Sequence, residues 1–544
     1  MGFFNPSIII VVKHQAPSCC IYFGRYLATY MNSSSKSSST AKKGIVYLVG
    51  AGPGDPGLLT LRAKECIEQA DVLVYDYLSN AEFLLMARRD CERIYAGKKA
   101  RDHALTQDQI NALIVEKAQQ GKVVTRLKGG DPVLFGRGAE EAAELAAAGV
   151  AYEIVPGVSS SIAGPIYAGI PVTHRAHASQ LTIFTGHEDP TKTESSLDYE
   201  HLAKTPGTRV MLMGVERMME ITQKLVQHGS APNTPVALVR WATRGNQRTL
   251  VGTLADIAEK VKATGFQAPA VCVIGDVVKE RQHINWFEDR PLFGKRIVVT
   301  RTRHQAGALT QKLAKLGADV IELPTIRIQE PHNLLEFGEM VQDCHKFDWI
   351  VFTSPNGVEA FFQMFYKLYN DARNIGPAKI ACIGPGTAEK VKQYHLAVDL
   401  MPEKYVAESL VESLLSEGVE NLTVLWVRAA GARDVVSKKL DQAGAIVDEA
   451  IAYQTVPERE DNQSAITRMQ EEGADVITFT SASTVDSFFA LGLQLPQGIK
   501  IASIGPVTSA AISKHKLKVD IEAQEHSIPG LIQAVRTLCT ASTA

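Results

Sequence analysis

A repeat in the second half of the chain constrains the fold more than any other feature. DWIVFTSPNGVEAFF, starting at Asp348, returns as DVITFTSASTVDSFF from Asp475, 127 positions later. KRIVVTRTRHQAGALTQKLAKLGADVIELP, from Lys295, is answered by LTVLWVRAAGARDVVSKKLDQAGAIVDEA, with Arg301 opposite Arg428 and Gly317 opposite Gly444 at that same spacing. KIACIGPGTAEKV, from Lys379, recurs as KIASIGPVTSAAI from Lys500, 121 positions on. Three matched blocks in one order imply a duplicated α/β unit. Two such lobes leave a cleft between them, where small-molecule sites sit.

The first half has a different rhythm. Between Lys43 and Lys279 short apolar runs alternate with helical patterns: GIVYLVG, DVLVYD, KVVTRLKGG, AYEIVPG, LTIFTG, TRVMLMG, PVALVRWA and AVCVIGD. Several end in glycine at the strand's C-terminal end, where open α/β sheets place their ligands. NWFEDRPLFGK (285–295) separates the two series and reads as a linker or docking segment. The expected division is therefore a leader at 1–43, a first enzyme-sized unit at 44–284, a linker at 285–294 and the duplicated unit at 295–540.

Residues 1–43 contain no Asp or Glu, five Lys/Arg and the run NSSSKSSST. They read either as a transit-like leader or as an over-long start whose true first residue is Met31. A net charge of −2 argues against nucleic acid as a partner. Eight scattered cysteines with no C-x-x-C give neither a disulfide framework nor a zinc site, so no metal is expected and the cytoplasm suits the chain. Its longest apolar runs, such as Ile8–Val12, are strand-sized, so no membrane span is expected.

LVGAGPGDPGLLTL (48–61) bares the backbone after a strand, yet it misses the dinucleotide fingerprint. Asp55 stands where the last glycine should be, and Pro53 removes an N–H that a pyrophosphate would use. With LKGGDPVLFGRGAEE (127–141), VPGVSSSIAGPIYAGIPVTHR (155–175), MGVERM (213–218) and PAVCVIGDVV (269–278), it closely resembles the uroporphyrinogen-III C-methyltransferases, which are tetrapyrrole methylases. The resemblance implies a two-domain α/β methylase fold, a homodimer through this half, S-adenosyl-L-methionine as cofactor and double methylation of uroporphyrinogen III to precorrin-2. On the matching positions it puts cofactor contacts at Pro53, Gly129, Gly130, Asp131, Leu134, Ser159, Ser160, Met213 and Ala242. It puts the proton acceptor at Asp76 and the proton donor at Lys98. Asp131 reads equally as a turn starter, Asp76 as a cap and Lys98 as surface charge. The substrate carries eight carboxylates, so Arg101, Arg137 and Arg175 are candidates to meet them.

FTSPNGV, IGPGTA, AYQTV and IGPVTSA make the second half resemble uroporphyrinogen-III synthase, a two-lobed α/β fold that closes hydroxymethylbilane while inverting its last ring. Such chemistry needs shape and hydroxyls more than a strong acid or base. Tyr453 and Thr387 are the catalytic candidates, and Ser354, Ser481 and Thr508 the substrate-facing ones. Each reads equally as a helix cap or a satisfied core hydroxyl. The alternative is a different tetrapyrrole methylase fused to a non-catalytic two-lobed tetrapyrrole-binding module.

Overall fold

The strand IVYLVG (β1, Ile45–Gly50) is apolar on successive residues and covered on both faces, as a central parallel strand must be. The computed structural model describes residues 44–540 apart from 89, 98–104, 188–195, 302 and 459–462. In it β1 lies between β4 (Val123–Lys128) and β5 (Ala151–Val155). The sheet continues through β2 (Val72–Tyr75) to β3 (Glu92–Tyr95), giving the all-parallel order β3-β2-β4-β1-β5. Thr60 and Thr106 start the helices Leu61–Glu68 and Gln107–Gln119 by accepting the N–H bonds of Ala63 and Gln109.

The second domain of this half carries a mixed sheet. β6 (Leu181–Thr185) pairs parallel with β7 (Thr208–Leu212), and β10 (Ala270–Ile274), β8 (Pro235–Arg240) and β9 (Arg248–Thr253) follow antiparallel. Its cleft-side edge is formed by the C-terminal ends of β6, β7 and β8.

The C-terminal half forms two lobes. One has β11 (Arg296–Val299), β12 (Asp319–Glu322), β18 (Val476–Phe479), β19 (Lys500–Ser503) and β20 (Ile521–Glu522), all parallel, in the order β12-β11-β18-β19-β20. The other has β13 (Ile326–Gln329), β14 (Trp349–Phe352), β15 (Lys379–Cys382), β16 (Thr423–Ala429) and β17 (Ile446–Pro457), in the order β13-β17-β16-β14-β15. The lobes do not correspond to the two sequence copies. β11 of the first copy pairs with β18 of the second, while β16 of the second pairs with β14 of the first. The first lobe thus takes two strands from the first copy and three from the second, and the other lobe takes two from the second copy and three from the first. The antiparallel ribbon β13–β17 carries both crossings.

The segment between the halves is packed on both. The Trp286 indole N–H donates to the Ile166 carbonyl (3.1 Å), and the buried Phe287 ring meets Tyr167. Five residues on, Leu292 is fully buried in the core of the first lobe, and its N–H donates to the Leu316 carbonyl at 2.9 Å. Gly245, in the loop after β8, lies against the Ala318–Asp319 peptide so closely that a Cβ would stand 2.2 Å from the Ala318 carbonyl carbon.

Candidate functional site

A cleft of about 480 Å³ opens where the C-terminal ends of β1, β2 and β4 face those of β6, β7 and β8. Three loops build its floor by close backbone approach. The Gly52 and Gly130 N–H groups each donate to the other's carbonyl, at 3.1 and 2.8 Å. A Cβ on Gly50 would sit 2.5 Å from the Gly157 nitrogen, so only glycine lets the three strand ends meet.

All nine sequence-predicted cofactor positions, together with Asp76, line this one cleft. The Asp131 carboxylate is already at work in it. One oxygen accepts the N–H groups of Val133 and Leu134, both at 2.9 Å, and the other accepts that of Gly157 at 3.1 Å. It therefore ties the GGDP turn to the loop after β5 while lining the cavity. Asp76 accepts the Leu78 N–H at 3.1 Å and the Ser79 hydroxyl at 3.3 Å. Its second oxygen stands 3.5 Å from Arg126. Ser159 caps the helix Ser160–Tyr167.

Behind Asp76 lies a buried charge network that the sequence reading passed over. Arg126 and Lys128, two apart on β4, present the same face. Lys128 reaches Glu141 at 2.6 Å and Arg126 reaches it at 3.5 Å, and Glu141 has no solvent exposure. Gln107 donates to the same carboxylate at 3.0 Å. Burial first, then the charge of Arg126, pushes the Lys128 ammonium below its ordinary value. Two cations two positions apart in the otherwise uncharged run VVTRLK were the available signal.

The cleft also collects backbone strain. Phe135, Met213 and Trp241 line it with φ of 55°, 56° and 48°, and Arg137 and Thr243 beside them have 58° and 71°. Non-glycine residues in the left-handed region cost energy and gather at functional sites. Arg244, another lining residue, donates to the Leu78 carbonyl at 3.0 Å and sits over the Trp241 ring at 5.1 Å.

Of the remaining methylase candidates, Lys98 and Arg101 lie outside the described residues. Arg137 sits at the cleft's rim, paired with Glu140 at 2.7 Å. Arg175 is on an exposed hairpin leading into the N-terminal end of β6, at the far end of that sheet from the cleft. In the C-terminal half, Tyr453 and Ser354 are brought together with oxygens 2.9 Å apart. Tyr453 is buried, and burial raises its phenol above its ordinary value. Ser354 and Ser481 each cap the helix that follows, accepting the N–H groups of Gly357 and Thr484 at 3.0 and 3.3 Å. Thr387 and Thr508 are buried in the first turns of equivalent helices, so these four occupy matching places in the two lobes.

Residues 45–258 match the family Tetrapyrrole (Corrin/Porphyrin) Methylases, and residues 307–533 match Uroporphyrinogen-III synthase HemD. A single protein aligns with both: "Porphyrin biosynthesis protein HemD" of Ruminiclostridium josui is 36% identical over 490 residues, 90% of this chain and 97% of its own. The chain belongs to this fused methylase–synthase family. The methylase half alone is 54% identical to the "S-adenosyl-L-methionine-dependent uroporphyrinogen III methyltransferase" of Methanosarcina barkeri, over 43% of this chain and 92% of that one. The "Uroporphyrinogen-III C-methyltransferase" of Bacillus subtilis is 42% identical over 66% of this chain and 74% of its own. The cleft therefore belongs to the methylase half, and the paired hydroxyls of Tyr453 and Ser354 to the synthase half. Among the described residues no helix is long and apolar enough to cross a membrane.

Proposed function

We propose that the chain is a bifunctional enzyme of tetrapyrrole biosynthesis. The synthase half closes hydroxymethylbilane to uroporphyrinogen III, and the methylase half methylates that product twice to precorrin-2, on the route to siroheme and cobalamin. The observation that carries this reading is the convergence of nine predicted cofactor positions and Asp76 on one cleft of the methylase half.

The cleft suits S-adenosyl-L-methionine on its own chemistry. Pro53 and the glycine carbonyls offer acceptors and close approach without a phosphate cradle, and Asp76, Asp131 and Glu216 put carboxylates around the cavity for a cationic ligand. When bound, the cofactor supplies an activated methyl group on sulfur. Gly129 and Gly130 bare the backbone that holds it, and Asp131 keeps that backbone in shape. Arg244 at the cavity wall faces an octacarboxylate substrate. Asp76 accepts the proton that the macrocycle loses once carbon has been methylated, with Arg126 orienting its carboxylate. Alignment of the reacting atoms supplies most of the acceleration, and the base contributes about 10²–10⁴-fold.

In the synthase half the Tyr453 phenol keeps its proton and is held by Ser354. It donates a hydrogen bond to the departing hydroxyl of hydroxymethylbilane. Water loss leaves an azafulvene, attack at the substituted carbon gives a spiro intermediate, and rearrangement closes the ring. Lys98 as proton donor, the substrate-facing roles of Arg101, Arg137, Ser481 and Thr508, the catalytic role of Thr387, the boundaries at 284 and 295, homodimer assembly through the methylase half and a cytoplasmic location belong to the same reading, on the strength of the resemblance, whereas Arg175 lies too far from the cleft to meet the substrate there.

Labelled methyl transfer tests it. Wild-type protein should put two labelled methyl groups on uroporphyrinogen III, and Asp76→Asn should lower kcat at least about 10²-fold with little change in cofactor affinity. No label on the macrocycle refutes the methylase assignment. A variant that melts lower but turns over normally makes Asp76 a cap.

A further inference from the structure

His174, His177 and Glu280 converge at the end of the methylase half's second sheet away from the cleft. One ligand atom from each lies within 4.8 Å of the others. The two histidines sit on a tight hairpin fixed by paired backbone bonds between His174 and Ala178, at 2.9 and 2.8 Å, and their rings stack with centroids 4.9 Å apart. Glu280 comes from the other side, at the end of the short helix Asp276–Glu280 that follows β10. It meets His177 Nε2 at 2.8 Å. The His177 hydrogen bond first, and then the neighbouring histidines, hold the Glu280 carboxyl below its usual range; His283, one turn beyond Glu280, is exposed. The sequence spacing is H-x-x-H on the hairpin and E-x-x-H on the helical segment. None of the four lines the cleft.

We propose that His174, His177 and Glu280 form a binding site for a divalent transition ion of the zinc class, with His283 or water as the fourth ligand. Two imidazoles and one carboxylate are a borderline donor set. They suit zinc, cobalt or nickel, whereas calcium and magnesium require oxygen-rich shells. Zinc bonds of about 2.0–2.2 Å in a tetrahedron put ligand atoms roughly 3.4 Å apart. The present spacing, from 2.8 Å up to 4.8 Å, brackets that separation. The direct His177–Glu280 contact is given up as the ion takes its place. The Ala176 N–H contact to His174 Nδ1, long at 3.3 Å, is the bond given up if that ring ligates through Nε2.

Such an ion would staple the hairpin to the segment 276–284, which runs directly into the residues packed between the two halves. Its role is structural, since it is remote from the methyl-transfer cleft.

The test uses the full chain, stripped with chelator and titrated with Zn²⁺ and then Co²⁺. The wild type should take up one equivalent, show the visible bands of a low-coordinate cobalt site, and melt at a higher temperature with zinc than without. His177→Ala and Glu280→Gln should each weaken that binding at least about tenfold and remove the zinc-dependent melting shift. His174→Gln gives the same readout should His177→Ala fail to fold. Wild-type protein that binds no ion overturns the proposal. So does an equivalent retained undiminished by the variants, which would place the ion elsewhere.

Discussion

At the scale of single residues, Asp131 shows how one carboxylate serves two ends. Its three backbone hydrogen bonds hold the GGDP turn, and its place in the cleft wall puts negative charge beside the ligand. Asp131→Ala should therefore weaken S-adenosyl-L-methionine binding by about 1.5–3 kcal/mol, while synthase activity stays intact. Asp131→Asn, whose amide oxygen can still accept the Val133 and Leu134 N–H groups, should lose less; calorimetry of both variants checks the order. Equal affinities in wild type and Asp131→Ala would remove the residue from the binding machinery. Tyr453→Phe deletes the hydroxyl bonded to Ser354 and leaves the ring's packing. It should slow ring closure and release some uninverted uroporphyrinogen I, read as the isomer ratio by chromatography. An unchanged rate and ratio would make Tyr453 core packing.

At the scale of elements, the methylase cleft was legible because its motifs end strands with glycine, and strand ends of parallel sheets are where ligands sit. Nine positions on separate motifs met in one cavity for that reason. What the motifs did not reveal are the features that depend on pairing across the sheet. The Arg126–Lys128–Glu141 network needs β4 to face the helix Gly138–Ala147, and the left-handed corners at Met213 and Trp241 need the second sheet to turn abruptly at its edge. The hydroxyl pair Tyr453–Ser354 joins residues on β17 and on the turn after β14, 99 positions apart. The floor of the cleft gives the sharpest element-scale prediction. In Gly50→Ala the new methyl meets backbone of Gly157 and Gly130, neither of which can swing aside. The variant should lose about 1–3 kcal/mol of methylase stability and most of its cofactor binding, with the synthase half still active. Normal cofactor affinity in that variant would mean the three strand ends do not meet this closely.

At the scale of the whole molecule, the spacing of 127 announced a duplication but could not show how the copies combine. Pairing β11 with β18 and β14 with β16 exchanges strands between copies, so neither lobe is a contiguous stretch of chain. The junction between halves reads in sequence as a linker or docking segment, and what it docks on was hidden because its contacts come from distant loops. Gly245 on Ala318–Asp319 and Arg244 among Glu82, Asp319 and Arg468 bring the wall of the methylase cleft onto the first synthase lobe. Burial, and then Glu322 across the junction, raises the Glu82 carboxyl to about 7. The unfolded chain releases that proton near pH 4.5, whereas the folded chain keeps it until about pH 7. Stability should therefore fall as pH rises between those values, and the penalty stays in full above the upper one. Glu82→Gln should remove about 1–3 kcal/mol of that loss. Melting curves of wild type and variant should separate toward pH 8 and coincide at pH 4; parallel curves throughout would deny the carboxyl a buried place at the junction.

The two halves perform consecutive steps, and one measurement bears on that most directly. The full chain is given hydroxymethylbilane without and then with S-adenosyl-L-methionine, and the products are followed by absorbance and separated by isomer. Uroporphyrinogen III should accumulate without the cofactor and precorrin-2 with it, in the one reaction vessel. Uroporphyrinogen I alone would contradict the synthase half, and uroporphyrinogen III left unmethylated in the presence of cofactor would contradict the methylase half.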